Sequence, residues 1–90
     1  MTSRDVVVVN RLGMHARAAA RFVHLATRFH SDVRVARDRR KVDGKSIMGI
    51  LLLAAAWGST ITITAEGADE IGAVEALAAL VASGFGENGA

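Results

Sequence analysis

The segment Thr60-Ile-Thr-Ile-Thr-Ala65 alternates strictly between hydroxyl and apolar side chains. Successive side chains of a β-strand point to opposite faces of its sheet, so this pattern predicts a half-buried strand. The chain must therefore build a sheet with one covered face and one face in water. The threonines are expected on the wet face.

The other periodic segments supply the rest of the sheet and its cover. Short β-branched or alternating runs predict the strands, and apolar residues at helical spacing predict three helices. The expected strands are 6–9, 33–35, 41–43 and 60–65. The first helix is expected to run from Ala16 to near Phe29. The order β-α-β-β-α-β-α indicates an α+β fold, with helices on one face of a four-stranded, mostly antiparallel sheet.

Helix boundaries follow from capping residues. Ser46 is the expected N-cap of the second helix, the apolar run from Ile47 to Trp57 is interpreted as a buried helix, and Gly58 is its expected end. Asp69 is the expected N-cap of the third helix. Ile71 is expected to begin the apolar stripe of that helix, which Gly84, Phe85 and a backfolded tail would close.

Composition limits the classes of function. The 90 residues are 51% hydrophobic and contain no cysteine, which predicts one folded domain over 1–90 without disulfides or zinc–thiolate sites. The apolar runs are too short for a signal peptide or a membrane span. Residues 1–45 hold eleven basic and four acidic side chains, and residues 46–90 hold five acidic and no basic ones. This asymmetry favours an anionic partner.

The stretch Leu12-Gly-Met-His-Ala-Arg17 places His15 where the first helix begins. A helix start offers unpaired N–H groups and partial positive charge. These groups and Arg17 disfavour the imidazolium cation, which keeps a neutral nucleophile, and they stabilise an attached anion. The pattern predicts a histidine that carries a phosphoryl group. The alternative is that His15 is merely an exposed loop residue or a helix cap.

Other polar residues receive simpler interpretations. His24 and His30 are six positions apart and do not share a helix face, so no metal site is expected. The basic residues of 34–45 are interpreted as a solvated turn, although a small RNA-binding domain stays an alternative. Ser46 tolerates phosphorylation at a helix N-cap, where the added charge meets the positive helix end.

Two separated motifs carry a resemblance to a known family. Leu12-Gly-Met-His-Ala-Arg17 and Gly44-Lys-Ser-Ile-Met-Gly-Ile50 resemble the active-site and regulatory-serine signatures of the HPr family, and the tail Phe85-Gly-Glu87 also fits. These are histidine-containing phosphocarrier proteins of the bacterial phosphoenolpyruvate:sugar phosphotransferase system. The resemblance covers nearly the whole chain. It implies an open-faced β-sandwich of four antiparallel strands under three helices.

The resemblance implies roles for particular residues. His15 would accept a phosphoryl group at Nδ1 from phosphorylated enzyme I and pass it to enzyme II A domains, while Arg17 would hold the phosphoryl oxygens. Ser46 would be phosphorylated by HPr kinase/phosphorylase with ATP. The expected docking residues for partner proteins are Met14, Ala16, Ile47, Met48 and Leu51.

The resemblance also implies a way of working. The protein would be a cytoplasmic, monomeric carrier rather than an independent enzyme, without cofactor, metal, nucleic acid or membrane insertion. It would serve sugar transport and carbon regulation. The alternative is a regulatory binding module, similar to the paralogue NPr, in a nitrogen-related or incomplete phosphotransferase branch.

Two positions depart from the family pattern. Ala18 stands where many members have proline, which is expected to loosen the helix entry slightly. Leu12 stands where many members have a polar residue, which leaves open whether Asn10 takes over that local role.

Overall fold

A computed structural model describes residues 1–87 of the chain. The elements follow the order β1 (Thr2–Val7), α1 (Ala16–Ala26), β2 (Asp32–Arg37), β3 (Arg40–Asp43), α2 (Ile47–Leu53), β4 (Thr60–Glu66), α3 (Glu70–Ala82) and a 3-10 turn (Gly84–Gly86). The strands form one antiparallel sheet in the order β1-β4-β2-β3. Three helices cover one face of this sheet, so the predicted open-faced α+β architecture is confirmed.

The central strand β4 divides the two faces as its alternation predicts. Ile61, Ile63 and Ala65 are fully buried beneath the helices. Thr62 and Thr64 lie on the other face, where their hydroxyl groups hydrogen-bond to Asp5 and Ser3 of β1. The core therefore lies entirely on the helical side of the sheet.

Strand β1 begins earlier than the sequence suggested. The β-branched run Val6–Val9 was the expected strand, but the ladder with β4 joins Thr2–Val7 to 60–65. Val8 turns into the core and exchanges hydrogen bonds with the loop at Ser59 and Gly58. The register with β4, rather than the β-propensity of the valines, decides where the strand lies.

Two helices end before the expected residue. α1 stops at Ala26, because the N–H groups of Arg28 and Phe29 bond to carbonyls three residues back and tighten the turn. α2 stops at Leu53, because Ala54 adopts the left-handed conformation that ends a helix. Gly58 is therefore not the terminator of α2.

The expectation of a buried helix from Ile47 to Trp57 is wrong. Of the seven residues of α2, only Ile50 and Leu53 are buried, and Trp57 is 65% exposed in the following loop. A two-turn helix on a sheet can bury only a narrow stripe, so the rest of this apolar run faces solvent.

The start of α3 also differs from the expectation. Asp69 occupies the N-cap position, but its carboxylate makes no cap hydrogen bond and instead accepts from the backbone of His30 and Ser31. Ile71 is exposed, because it projects about a quarter turn from the centre of the buried stripe that contains Val74 and Leu77. The expected backfolding of Phe85 is confirmed, since its ring is buried.

Candidate functional site

The loop before α1 is held against the segment that follows α2. Gly13 has φ +65°, and a Cβ at this position would lie 2.6 Å from the carbonyl oxygen of Ala55. The N–H of Met14 donates to the same oxygen at 2.9 Å, and the Met14 side chain is buried. Only glycine fits this close approach, so the turn fixes the point at which His15 enters the helix.

His15 is itself the N-cap of α1. Its backbone is extended, and its Nδ1 accepts a hydrogen bond of 3.3 Å from the N–H of Arg17. On the other side of the ring, Nε2 lies 2.7 Å from Oε2 of Glu87. The side chain remains 24% exposed. The ring is thus anchored at both nitrogens and still accessible to a partner protein.

Glu87 reaches His15 because the chain folds back after α3. Phe85 is buried, and the guanidinium of Arg21 on α1 donates to its carbonyl oxygen. Burial opposes ionisation of Glu87, but the hydrogen bonds from His15 and Asn10 and the charges of His15, when it is protonated, and Arg17 outweigh it, so the pKa of Glu87 is lowered. A carboxylate therefore stands beside the ring at neutral pH.

Asn10 takes a structural position in this network. Its side chain is fully buried, and its Nδ2 donates to the carbonyl oxygen of Gly13 at 2.8 Å and to Oε1 of Glu87 at 2.6 Å. It braces the turn before His15 and the tail that covers it. It does not cap α1, since His15 occupies that position.

The first turn of α1 contains no acidic residue. Arg17 is exposed and lies close enough to Glu87 for its charge to lower the pKa of that carboxylate. Ala18 is buried against the core. The helix begins at Ala16, so α1 forms with alanine rather than proline at position 18. The helix start therefore presents backbone N–H groups to the space around Nδ1, and the guanidinium of Arg17 lies within electrostatic range of Glu87.

Ser46 is the N-cap of α2, as the sequence predicts. Its Oγ accepts a hydrogen bond of 3.0 Å from the N–H of Gly49. The ammonium group of the neighbouring Lys45 is engaged elsewhere. Its Nζ donates to the carbonyl oxygen of Phe29, three residues after α1 ends. The serine is half-buried.

The expected docking residues separate into two groups. Met48 is 65% exposed, Ala16 and Ile47 are also exposed, and Leu51 is half-buried. Met14 is only 5% exposed, so its assignment to the docking surface is wrong: it packs in the core. We use "docking surface" below for Ala16, Ile47, Met48 and Leu51.

Sequence reasoning missed three large apolar side chains that the structure exposes. Leu12, Leu52 and Trp57 are each at least 60% exposed. It considered Asn10 only as a possible local polar cap and gave Glu87 no role at the site. The one available signal for Glu87 was its charge. The charged side chains near His15 in the sequence are basic, and Glu87 is an acidic residue of the tail. Nothing local indicated that this tail returns to the motif.

Two arginines of the basic stretch 34–45 stabilise the end of α2. Arg37 donates to the carbonyl oxygens of Leu53 and Ala54, and Arg40 donates to that of Leu52, so both cap the C-terminal end of α2. Within residues 1–87 there is no cluster of three histidine or acidic side chains that could hold a metal ion. The helices of this same range are too short or too polar to cross a membrane.

The chain is similar to proteins of one family over almost its whole length. A family model described as the HPr component phosphorylation site of the phosphotransferase system matches residues 2–83. The phosphocarrier protein HPr of Cupriavidus necator is 51% identical over 87 residues, which cover 97% of this chain and 98% of that protein. HPr of Pseudomonas aeruginosa is 43% identical over 88 residues, with 97% and 98% coverage.

Solved structures agree. The crystal structure of HPr from Thermoanaerobacter tengcongensis has a TM-score of 0.94 and 43% identity and covers 98% of this chain and 99% of its own. HPr from Bacillus anthracis has a TM-score of 0.86 and 50% identity, with 89% and 95% coverage. With these similarities and an accessible histidine at a helix start, the chain belongs to the HPr family of phosphocarrier proteins of the phosphotransferase system.

Proposed function

We propose that His15 is the residue of this phosphocarrier that accepts the phosphoryl group, at Nδ1, from phosphorylated enzyme I and gives it to enzyme II A domains. The observation that carries the proposal is the position of His15 as N-cap of α1, with Nδ1 facing the N–H of Arg17. A phosphoryl oxygen can take over this long hydrogen bond when the N–P bond forms.

The electrostatics of the helix start support the same role. Backbone N–H groups at the N-terminus of a helix favour negative charge, and no resident acidic side chain occupies the first turn of α1. Arg17 adds a planar guanidinium whose N–H groups match phosphoryl oxygens. Arg17 is therefore the second residue of the proposed site.

Transfer from enzyme I and phosphoenolpyruvate tests this proposal. The protein is expected to gain one phosphoryl group that is labile in acid and stable in base, as a phosphohistidine is. His15→Ala removes the acceptor and should abolish labelling. His24→Ala, which replaces an exposed histidine of the same helix, is the matched control and should label normally. Equal labelling of His15→Ala and the unchanged protein would refute the proposal.

We propose further that Ser46 is a regulatory site for HPr kinase/phosphorylase, which would move the γ-phosphoryl group of ATP to Oγ and release ADP. An N-cap serine suits this modification, because the new charge stays at the positive end of α2. Ile47 and Met48 of the docking surface follow immediately. A dianion beside them makes it costlier to remove water from this surface and so weakens binding of partners.

The arrangement of α1 and α2 supports an effect on docking rather than on chemistry. The loop before α1 bonds to Ala55 after α2, and Lys45 before α2 bonds to Phe29 after α1, so the two helices run antiparallel. His15 and Ser46 therefore lie at opposite ends of α1, whose 11 residues span about 16 Å. Surface charges this far apart are largely screened at physiological ionic strength.

Ser46→Asp separates these two effects. We expect it to raise the KM for the carrier in the enzyme I reaction about tenfold while kcat stays unchanged, because only docking is weakened. Ser46→Asn keeps an N-cap oxygen without charge and is the matched control. A lowered kcat at unchanged KM would contradict this mechanism. Equal effects of Asp and Asn would show that the change comes from replacing the serine hydroxyl and not from the added charge.

The carrier would act in the cytoplasm as a monomer, because His15 must be presented to successive partners. It would not turn over by itself, since both the donor and the acceptor of the phosphoryl group are other proteins. Recognition of RNA is less well supported, because two arginines of the basic stretch are engaged in capping α2.

A further inference from the structure

We propose that Glu87 and Asn10 are positioning residues that hold neutral His15 in the tautomer with its proton on Nε2, which keeps Nδ1 as the nucleophile. This inference rests on the proposed role of His15. It concerns how the chain selects one ring nitrogen over the other. Glu87 lies beyond residues 2–83, the part of the chain that the family model matches.

The partners of the two ring nitrogens differ in kind. Nε2 lies 2.7 Å from a carboxylate oxygen of Glu87, which can only accept when it is ionised. Nδ1 lies 3.3 Å from the N–H of Arg17, which can only donate. A neutral imidazole satisfies both contacts only with the proton on Nε2 and the lone pair on Nδ1.

Asn10 determines which group of residue 87 can face it in the hydrogen-bond chain from Asn10 through Glu87 to His15. One of its amide hydrogens is committed to the carbonyl oxygen of Gly13 and the other to Oε1 of Glu87. Rotating the amide would turn Oδ1 toward these two acceptors, so the donor orientation is retained although Oδ1 has no hydrogen-bond partner in residues 1–87. Asn10 therefore always offers an N–H group to residue 87.

A carboxylate at position 87 is the side chain that fits this arrangement. It accepts from Asn10 with one oxygen and from His15 with the other. The lowered pKa of Glu87 agrees with it, because the same two hydrogen bonds stabilise the charged form against the opposing effect of burial. A glutamine has one acceptor and one donor and cannot accept from both neighbours.

The carboxylate also serves the transfer step. When Nδ1 forms the bond to phosphorus, the bond from phosphorus to the donor breaks and the donor keeps that electron pair. The ring then carries positive charge shared with Nε2–H, next to Glu87. The proton stays on Nε2, and transfer to the acceptor returns the ring to its neutral form. Glu87 thus acts as the aspartate of a Ser-His-Asp triad does, by fixing a tautomer and stabilising the charged ring.

The tautomer can be read directly from long-range proton–nitrogen correlations of the His15 ring in the 90-residue protein at pH 8. The unchanged protein is expected to carry its proton on Nε2. In Glu87→Gln, Asn10 holds the glutamine oxygen and the glutamine NH2 group faces Nε2. This arrangement favours the proton on Nδ1, so the Nε2–H population should fall at least about twofold.

The double variant Asn10→Ala/Glu87→Gln is the decisive comparison. Without the Asn10 amide, the glutamine can turn its oxygen to Nε2, so the Nε2–H tautomer should return. Glu75→Gln, an exposed glutamate of α3, is the matched control and should leave the ring unchanged. Backbone amide spectra of the same samples establish that each variant is folded.

Kinetics give a second measurement. Glu87→Gln is expected to lower kcat for transfer from enzyme I about tenfold at unchanged KM, with partial recovery in the double variant. A proton on Nδ1 in the unchanged protein, an unaffected tautomer in Glu87→Gln, or no recovery in the double variant would each overturn the inference. If His15 received no phosphoryl group, the proposed function would fail, while the ring spectra would still decide the tautomer.

Discussion

The starts of α1 and α3 solve the same electrostatic problem in opposite ways. Both leave backbone N–H groups unpaired and partial positive charge at the helix end. At α3, resident carboxylates occupy the region: Glu70 lies in the first turn and accepts from the N–H of Gly67, and Asp69 binds the backbone of His30 and Ser31. At α1, the cap is His15 and the first turn has no acidic side chain.

The difference separates a structural helix start from one that, as proposed, receives a transient anion. The carboxylates of Asp69 and Glu70 are so well solvated by protein donors that their pKa values are lowered to about 2. They tie α3 to the chain on either side. The negative charge near α1 belongs to Glu87, which lies at Nε2 and leaves Nδ1 facing the helix N–H groups.

The largest effect is expected from the glycines that lie two residues before the N-caps of these helices. Gly13 and Gly67 both have positive φ, and a Cβ on either would lie 2.6 Å from another atom, Ala55 O or Ser31 Oγ. We expect Gly13→Ala and Gly67→Ala each to lower the free energy of unfolding by about 2–4 kcal/mol. Urea unfolding measures this loss.

Only Gly13→Ala should also lower phosphoryl transfer per folded molecule, because only this glycine positions His15. Gly72→Ala is the control, since its Cβ would meet only Phe29 at an ordinary 3.8 Å within α3. It should be neutral or stabilise by up to about 1 kcal/mol. The comparison breaks down if Gly67→Ala loses as much transfer per folded molecule as Gly13→Ala.

A smaller and more specific effect is expected when α1 receives a carboxylate of the kind that α3 has. Ala16→Glu adds a negative charge to the first turn, which should raise the free energy of unfolding by about 0.3–1 kcal/mol. The same charge repels the phosphoryl group, and a repulsion of about 1.4 kcal/mol lowers transfer about tenfold. Stability and transfer should therefore change in opposite directions.

Ala16→Gln is the matched control, because it adds the same volume to the docking surface without charge. Any loss of transfer that it shows reports altered contacts with the partner, so transfer should be clearly higher in Ala16→Gln than in Ala16→Glu. If glutamate and glutamine lowered transfer equally, the loss would come from contacts with the partner. The absence of an acidic residue in the first turn of α1 would then have no part in phosphoryl binding.

The sequence predicted features that are set by local periodicity. The alternation of Thr60–Ala65 is a property of one strand, and it led correctly to a sheet with one covered face. The position of β1 depends instead on its register with β4, which the valine run does not encode. The end of α2 depends on Ala54 adopting a left-handed conformation. Alanine rarely adopts this conformation, so the sequence gives no sign of it. Apolar residues in α2 did not reveal which of them face water.

The candidate site divides in the same way. His15, Arg17 and Ser46 could be singled out as candidates because the features that suggest a role for each lie within three residues along the chain. Glu87 contacts His15 across 72 positions, and only the packing of Phe85 and the bond from Arg21 bring it there. Met14 was misjudged for a related reason: its side chain is drawn into the core by a hydrogen bond from its backbone to Ala55.

The smallest effect concerns acid stability at the start of α3. The pKa of Asp69 is lowered from its ordinary 3.8 to about 2, first by the hydrogen bond from the Ser31 hydroxyl and then by that from the His30 N–H. A lowered pKa in the folded state means that the carboxylate stabilises the fold fully above its unfolded pKa. This contribution is lost as the pH falls from about 4 to about 2.

Asp69→Asn should therefore be less stable than the unchanged protein at pH 7, with a difference that shrinks over this acidic range. Urea midpoints measured from pH 7 to pH 2.5 check the prediction. Glu75→Gln removes an exposed negative charge from the same helix and controls for net charge. Transfer to His15 at pH 7.5 should persist in folded Asp69→Asn, because the carboxylates of α3 have no part in holding the phosphoryl group. Parallel pH profiles for Asp69→Asn and the unchanged protein would show that the charge of Asp69 is not what anchors this helix start.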